Sequence, residues 1–189
     1  MLFTGLYICL FLLYNAIQVV KSTIFWIKVP QSGAFGPEWG IKAMFTGEYK
    51  HSMDGKGRLI LPAKLRAELG DKAYFSRGLD SCLYVYTAEA WNAFAAKLQK
   101  KSILEPRSRK VIEFFMSGAD DCEIDKQGRL VVPSALRDVL GDGKDITTVG
   151  AGLYIEIWDT AKWKAHIAEI TEDIDSLAEE LSLLGTDLM

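Results

Sequence analysis

An internal repeat constrains the fold of this chain more than any other feature of its sequence. The segment DGKGRLILPAKLRAELG at 54–70 aligns without a gap with DKQGRLVVPSALRDVLG at 125–141, and nine of the seventeen positions are identical. LYVYTAEAW at 83–91 is echoed, with a short insertion, by LYIEIWDTAKW at 153–163. A unit this small cannot easily bury its own apolar face, so the duplication favours intimate pairing of the two copies and of subunits.

Each copy has the pattern of a turn, a short strand and a short helix, followed by further strands. In the first copy, a turn containing Asp54 and Gly57 offers the positive-φ position that glycine tolerates, and an apolar strand follows at 59–61. Pro62 suits the first position of a helix, and Gly70 suits its C-terminal end. The second copy repeats this order with a strand at 130–132, Pro133 and Gly141. Aromatic and β-branched residues predict the later strands, at 73–79, 82–87, 145–150 and 153–158.

Helices are predicted between the copies and after them. Apolar periodicity favours helices at 88–101 and 105–118, and Pro106 marks the start of the second. A last helix, from Thr160 to Leu184, carries an apolar stripe that packs either on its own subunit or on a neighbour, formed by Trp163, Ile167, Ile170, Ile174, Leu177, Leu181 and Leu184. The predicted organisation is α+β, with repeat 1 at 48–91, linker helices at 92–118, repeat 2 at 119–162 and a C-terminal helix at 163–189.

The first 43 residues form an apolar extension that differs from the rest of the chain. Leu2–Val20 contains no charged residue and approaches the roughly 20 residues of a membrane-spanning helix. Lys21 and Lys28 follow this stretch, so the positive-inside rule would leave the remainder in the cytoplasm. The alternative is a non-native extension, because organised sequence begins only at Met44, after the unpatterned PQSGAFGPEWG. We favour Met44 as the start, which argues against a membrane location.

Composition restricts the kinds of site that the chain can hold. The net charge is −3, so a nucleic-acid site would need a local cluster of lysine and arginine. Cys9, Cys82 and Cys122 are far apart and form no C-x-x-C pair, so neither a disulfide framework nor a zinc site is predicted, and a reducing cytoplasm fits best. His51 and His166 are the only histidines. The sequence therefore predicts no metal centre, no catalytic residues and no enzyme.

The duplicated motifs resemble those of a known family. MFTGEYKHSMDGKGRLILPAKLR, beginning at Met44, together with the second GRLVVPSALR, is similar to the MraZ transcription regulators, which belong to the AbrB-like swapped-hairpin DNA-binding superfamily. The resemblance covers essentially all of 44–189, including the linker EPRSRKVIEFFMSGA. The first 43 residues have no place in it.

This resemblance implies a fold, a partner and a role. The fold would be two tandem AbrB-like swapped-hairpin β-barrel modules that assemble as a ring-shaped homo-oligomer. The partner would be double-stranded DNA, bound at direct G-containing repeats upstream of the family's own operon of division and cell-wall genes, with repression as the usual outcome. The protein would be cytoplasmic and nucleoid-associated, and no cofactor and no small-molecule substrate are implied.

The family's Asp-x-x-Gly-Arg turn gives the candidate site, matching Asp54, Gly57 and Arg58 in copy one and Asp125, Gly128 and Arg129 in copy two. We expect the aspartates and glycines to shape the turns. An arginine on a hairpin can donate two hydrogen bonds to guanine O6 and N7 in a major groove. Arg58 is therefore the first candidate for a DNA contact, and Arg129 is the second.

Neighbouring residues rank the first hairpin above the second. Lys50, His51 and Lys56 surround Arg58 and suit phosphate contacts. The corresponding region of copy two contains Glu123, Lys126 and Gln127 instead.

Several alternatives remain at the level of sequence. Arg58 and Arg129 could brace their turns by ion pairs with the nearby aspartates, and Arg66 and Arg137, beside leucines, suit structural or solvated positions. The basic run of Arg107, Arg109 and Lys110 suits a solvated helix face, with an additional contact to the DNA backbone as the alternative. A membrane-tethered scaffold and an AbrB-like antitoxin are the alternative functions, whereas an enzyme using Asp54 or Asp125 lacks any accompanying catalytic signature.

Overall fold

The strands interleave the two copies of the repeat. A computed structural model describes residues 43–141 and 143–183. Its strands are β1 (Phe45–Ser52), β2 (Arg58–Ile60), β3 (Lys72–Arg77), β4 (Leu83–Thr87), β5 (Asp120–Glu123), β6 (Arg129–Val131), β7 (Asp145–Gly152) and β8 (Ile155–Asp159). Its α-helices are α1 (Ala63–Leu69), α2 (Ala88–Gln99), α3 (Pro106–Ser117), α4 (Arg137–Leu140) and α5 (Thr160–Leu183), and short 3₁₀ turns lie at Leu79–Ser81 and Ser134–Leu136.

A six-stranded antiparallel sheet has the order β1-β7-β8-β4-β3-β5, and a two-stranded ribbon joins β2 to β6. Strands β1 to β4 belong to copy one, and β5 to β8 are their counterparts in copy two. The first strand of each copy pairs with the third strand of the other copy, because β1 pairs with β7 and β5 pairs with β3. Exchanging the copies leaves the strand order unchanged, so the described chain is α+β with approximate two-fold symmetry.

The ribbon of β2 and β6 joins the copies at their most similar residues. Leu59 lies opposite Leu130, and both side chains are buried. The pairing continues beyond the strands, because the Val132 amide donates to the Gly57 carbonyl at 2.8 Å and the Leu61 amide donates to the Gly128 carbonyl at 3.0 Å. Each glycine-arginine turn is therefore hydrogen-bonded to the strand of the other copy.

Two apolar clusters hold these elements together. The larger contains aliphatic residues from both copies, among them Leu59, Leu65 and Leu69 with their counterparts Leu130, Leu136 and Leu140. The second is aromatic and contacts the helices α2, α3 and α5 through Trp91, Phe115 and Trp163. Tyr84, on β4, belongs to this cluster as predicted. Tyr154 was also predicted on a strand, but it precedes β8 and packs partly buried against the cluster, with its ring centroid 4.6 Å from that of Tyr84.

Most predicted elements are confirmed. Gly57 and Gly128 have φ values of +77° and +76°, and Pro106 begins α3. The helix of copy two differs from prediction, since it splits into the 3₁₀ turn Ser134–Leu136 and the short α4. Ser134, Asp138 and Val139 replace better helix formers of copy one, Ala63, Ala67 and Glu68, which accounts for the difference.

The N-terminal extension, including Leu2–Val20, lies outside the described residues, as does Leu184 of the predicted stripe. Among the residues that the structure describes, no helix has both the length and the apolar character that crossing a bilayer requires.

Candidate nucleic-acid interface

Asp54 organises the first hairpin turn. One carboxylate oxygen, Oδ1, accepts hydrogen bonds from the backbone amides of Lys56 and Arg58, both at 2.9 Å. The main chain closes the turn with bonds from the Asp54 amide to the Arg58 carbonyl and from the Gly57 amide to the Asp54 carbonyl. Gly57 occupies the left-handed region that disfavours a side chain, so the Asp-x-x-Gly spacing follows from the geometry of the turn.

The second oxygen of Asp54 holds the Arg58 guanidinium. Arg58 Nε and Nη2 both lie 2.6 Å from Asp54 Oδ2, so the turn-bracing ion pair is present. The arginine is not buried by it, since 36% of its side chain remains exposed. The aspartate is fixed by two amides, and it therefore fixes the direction of an arginine that solvent still reaches.

The second hairpin repeats the hydrogen bonds of the turn and the pairing of the arginine Nε with the carboxylate. Asp125 Oδ1 accepts from the amides of Gln127 and Arg129 at 2.9 Å, and Arg129 Nε donates to Asp125 Oδ2 at 2.6 Å. The Arg129 side chain is 35% exposed. Both copies of the motif thus form the same carboxylate-oriented arginine.

The ion pair has a measurable electrostatic signature. The hydrogen bond from the Arg58 side chain, together with smaller contributions from the turn amides, lowers the pKa of Asp54 from 3.8 to about 2. In copy two, the amide of Arg129 is the main cause that lowers the pKa of Asp125. Both aspartates are therefore ionised at neutral pH, as pairing with arginine requires.

In an NMR titration of side-chain carboxyl signals, Asp54 is expected to titrate at about 2, and Arg58→Ala is expected to move the midpoint back toward 3.8. The pKa of Asp54 is lower in the folded protein than in the unfolded chain. The stabilisation that this ion pair gives the fold is therefore complete at a pH above the ordinary pKa of 3.8, and it is lost as the pH falls toward 2. Asp125 serves as the internal control, since its partner is unchanged in this variant. An Asp54 midpoint that does not respond to Arg58→Ala would contradict the pairing.

Two further arginines contact the hairpins from the opposite copies. The Arg137 side chain lies against Gly57, where an added Cβ would overlap its guanidinium, and its Nε donates to the Val132 carbonyl at 3.0 Å. Arg66 lies against Gly128 in the same way. The glycines are required here for close approach as well as for φ. These contacts place Arg66 and Arg137 at structural positions, and they also bring a cation to each turn.

Each hairpin therefore receives one cation from the opposite copy. Each Asp–Arg pair is neutral as a unit, so the excess positive charge comes from the exposed Lys56 with Arg137 at the first turn and from the exposed Lys126 with Arg66 at the second. The ranking of hairpin one above hairpin two stays a prediction, since each turn receives one arginine from the opposite copy.

The two remaining candidates lie on β1. Lys50 is exposed, whereas His51 is half-buried and its Nε2 is buried without a hydrogen-bond partner in the described part of the chain. Burial lowers the pKa of His51, so the ring is neutral at neutral pH. A neutral, half-buried imidazole does not supply the positive charge that a phosphate contact uses.

The ribbon places the two hairpin arginines on one face. Residues 58 and 60 of β2 share a face, and Val131 and Arg129 lie opposite them in register. Arg58 and Arg129 are consequently diagonal neighbours on the outward side, above the buried pair Leu59 and Leu130.

Over residues 43–141 and 143–183, no group of three or more His, Cys, Asp or Glu side chains could hold a metal ion.

Sequence reasoning missed two parts of this site. The pairing of β2 with β6 brings together residues 69 to 73 positions apart, and nothing local indicates it. The contacts of Arg66 and Arg137 with the opposite turns were also missed. Their identity in both copies was the available signal, since a solvated arginine needs no fixed position in a repeat.

The comparison with known protein families also divides the chain into two copies. Residues 44–113 and 115–184 each match the family model described as "MraZ protein, putative antitoxin-like". The chain is 40% identical over 142 residues to a protein named transcriptional regulator MraZ from Acetivibrio thermocellus, and 43% identical over 142 residues to one from Halothermothrix orenii; each alignment covers 75% of this chain and 99% of the relative. A relative of the same name from Ligilactobacillus salivarius is 45% identical over 138 residues, which cover 73% of this chain and 96% of the relative. The matched stretches contain both hairpins.

Proposed function

The chain belongs to the MraZ family of transcriptional regulators, and on that premise we propose that it binds double-stranded DNA through its two Asp–Gly–Arg hairpins and so controls transcription. One observation carries the proposal. Both copies hold a half-buried, solvent-accessible arginine in the same orientation by a carboxylate, and the ribbon of β2 and β6 presents the two arginines on one outward face. The glycine and the aspartate could close the turn without an arginine, so the presence of the arginine in both turns favours a ligand.

The pairing with aspartate leaves Arg58 able to contact a base. A guanidinium has five N–H donors, and Nε and one proton of Nη2 point toward Asp54 Oδ2. The Nη1 group and the second Nη2 proton remain available, which is sufficient for a bidentate contact with guanine O6 and N7. Because Asp54 has already restricted the side chain, less rotamer entropy is lost on binding. Lys56, Lys126, Arg66 and Arg137 supply charge for the phosphates.

The architecture is a swapped-hairpin barrel formed by the two copies. Support comes from the exchange of strand partners between the copies at β1–β7, β3–β5 and β2–β6. This exchange fixes the spacing of the two arginines, and neither copy could present its hairpin alone.

Several hairpins act together in a ring of subunits. The overall charge is −3, so a single hairpin pair on this protein would bind DNA weakly. Support for assembly comes from α5, where Ile167, Ile174 and Leu177 of the predicted stripe are exposed. A ring that contacts several DNA repeats at once gains affinity through effective concentration. Direct G-containing repeats upstream of the protein's own division and cell-wall operon are the target, repression is the outcome, and the protein acts in the cytoplasm on the nucleoid.

A band-shift assay with DNA from upstream of the protein's own gene tests the proposal. Arg58→Ala is expected to weaken specific binding by about tenfold to a hundredfold, because a bidentate arginine–guanine contact is worth about 1–3 kcal/mol. Arg58→Lys keeps the charge but loses the planar fork, so it is expected to lose preference for the cognate repeats while retaining binding to unrelated DNA.

Lys164→Ala is the matched control, since it removes one exposed positive charge from α5, an element other than the ribbon. Binding by Arg58→Lys with the affinity and preference of the parent would show that only charge matters. Failure of the parent to bind this DNA in preference to unrelated DNA would refute the proposal itself.

A further inference from the structure

Two large aliphatic side chains lie exposed between the hairpin arginines. Ile60 is 60% exposed and Val131 is 42% exposed, although both belong to the short ribbon that joins the two copies. Their strand neighbours Leu59 and Leu130 are buried, so the alternation of the strands turns Ile60 and Val131 outward. Each copy carries one of them, at equivalent positions of the repeat.

The register places each aliphatic residue beside an arginine of the other copy. Arg58 lies opposite Val131, and Ile60 lies opposite Arg129. Side chains directly opposite in an antiparallel pair are in contact range. The outward face of the ribbon is therefore a quartet of two arginines and two aliphatic residues, and this face has both the charge and the apolar surface that a partner would contact.

We propose that Ile60 and Val131 contact the 5-methyl groups of thymines adjacent to the guanines that Arg58 and Arg129 recognise. The inference rests on the function proposed above and adds a second determinant of sequence preference. A two-stranded β-ribbon fits the major groove, where the thymine methyl is the apolar group on the base edges. A surface that pairs arginine with aliphatic side chains matches the guanine and thymine edges together.

Charge complementarity favours DNA over a protein as the occupant of this face. Two arginines lie on a surface of four residues, and each is directed by its own turn aspartate. Each Asp–Arg pair is neutral as a unit, and the excess positive charge beside this face comes from Lys56 with Arg137 and from Lys126 with Arg66. DNA supplies phosphates for these cations and guanine acceptors for the remaining donors of the arginines, whereas a protein partner would have to match both. The aliphatic residues would still be in contact range of the bases once the arginines bind.

The test replaces thymine with uracil in the DNA. Uracil keeps the Watson–Crick edge and O4 and lacks only the methyl group, so the probe isolates the proposed contact. A duplex carrying the repeats from upstream of the protein's own gene is compared with copies in which each thymine in turn is replaced by deoxyuridine. The parent is expected to lose about fourfold in affinity for each contacted methyl group, the equivalent of about one buried CH₂.

Variants complete the test. The double variant Ile60→Ala and Val131→Ala is expected to bind thymine and uracil duplexes equally while retaining its preference for guanine. Val111→Ala, which truncates an exposed aliphatic residue of α3, is the matched control and should discriminate as the parent does.

The outcomes separate this inference from the proposed function. A parent that prefers the cognate DNA but binds thymine and uracil duplexes equally at every position would overturn the methyl contact alone. A parent without preference for that DNA would overturn both. If Ile60→Ala and Val131→Ala change the oligomeric state in gel filtration and leave thymine discrimination intact, the face is a contact between subunits and the inference is wrong.

Discussion

Replacement of Leu59 by alanine is expected to lower the free energy of unfolding by about 2–5 kcal/mol, one of the largest effects available to a single substitution in this chain. Leu59 is 1% exposed and lies opposite Leu130, which is fully buried, at the centre of the ribbon that joins the two copies. Both side chains belong to the larger apolar cluster. The cavity would therefore lie between the copies, where the cross-strand hydrogen bonds limit how far the backbone can relax.

Urea unfolding followed by circular dichroism, at one protein concentration, measures this effect. Ile60→Ala is the matched control, because it truncates the next residue of the same strand where the side chain is 60% exposed. We expect that variant to change the free energy of unfolding by no more than about 0.5 kcal/mol. Equal losses in the two variants would mean that the ribbon face, not the core beneath it, determines stability.

The second large effect concerns assembly. The double variant Ile174→Asp and Leu177→Asp is expected to weaken binding to DNA that carries several cognate repeats by about a hundredfold to ten-thousandfold, with both arginines intact. Ile174 and Leu177 are exposed apolar residues on one face of α5, so aspartates there would oppose packing between subunits without disturbing the core. The loss follows because separate subunits no longer share an effective concentration on the DNA.

Gel filtration with light scattering gives the oligomeric state, and band shifts give the affinity for duplexes with one repeat and with several. Ala165→Asp combined with Ser176→Asp adds the same charge to exposed positions on the other side of α5 and should leave assembly and affinity unchanged. We expect the stripe variant to bind a duplex with several repeats more weakly than the parent does, and to bind a duplex with one repeat with the same affinity. A variant that is monomeric yet binds several repeats as tightly as the parent would refute the role of assembly.

Local chemistry made much of the fold predictable. The turns at Gly57 and Gly128 follow from the conformational freedom of glycine, and α3 begins at the proline that suits a first helical turn. The apolar periodicity of α5 also predicts its span within the described residues. In each case the signal and the structure lie within a few positions of each other, so no distant contact is needed to produce the element.

The candidate site was predicted only in part. Arg58 and Arg129 were identified from the repeated motif, and the aspartate partners were an alternative that the geometry confirms. The strands Phe45–Ser52 and Asp120–Glu123 were not predicted as strands, since edge strands of this kind take their conformation from their partners. The contact of Arg137 with Gly57 was missed for the same reason: it joins residues from different copies.

By itself, the sequence determined that two similar units exist, that each carries an aspartate-glycine-arginine turn, and where most helices begin and end. Only the tertiary structure decided that the units exchange strands and that Arg58 and Arg129 share one face with Ile60 and Val131. The division has a physical cause. Backbone conformation at a turn or a helix end is set by neighbouring residues, whereas strand partners are chosen by the burial of apolar surface from distant parts of the chain.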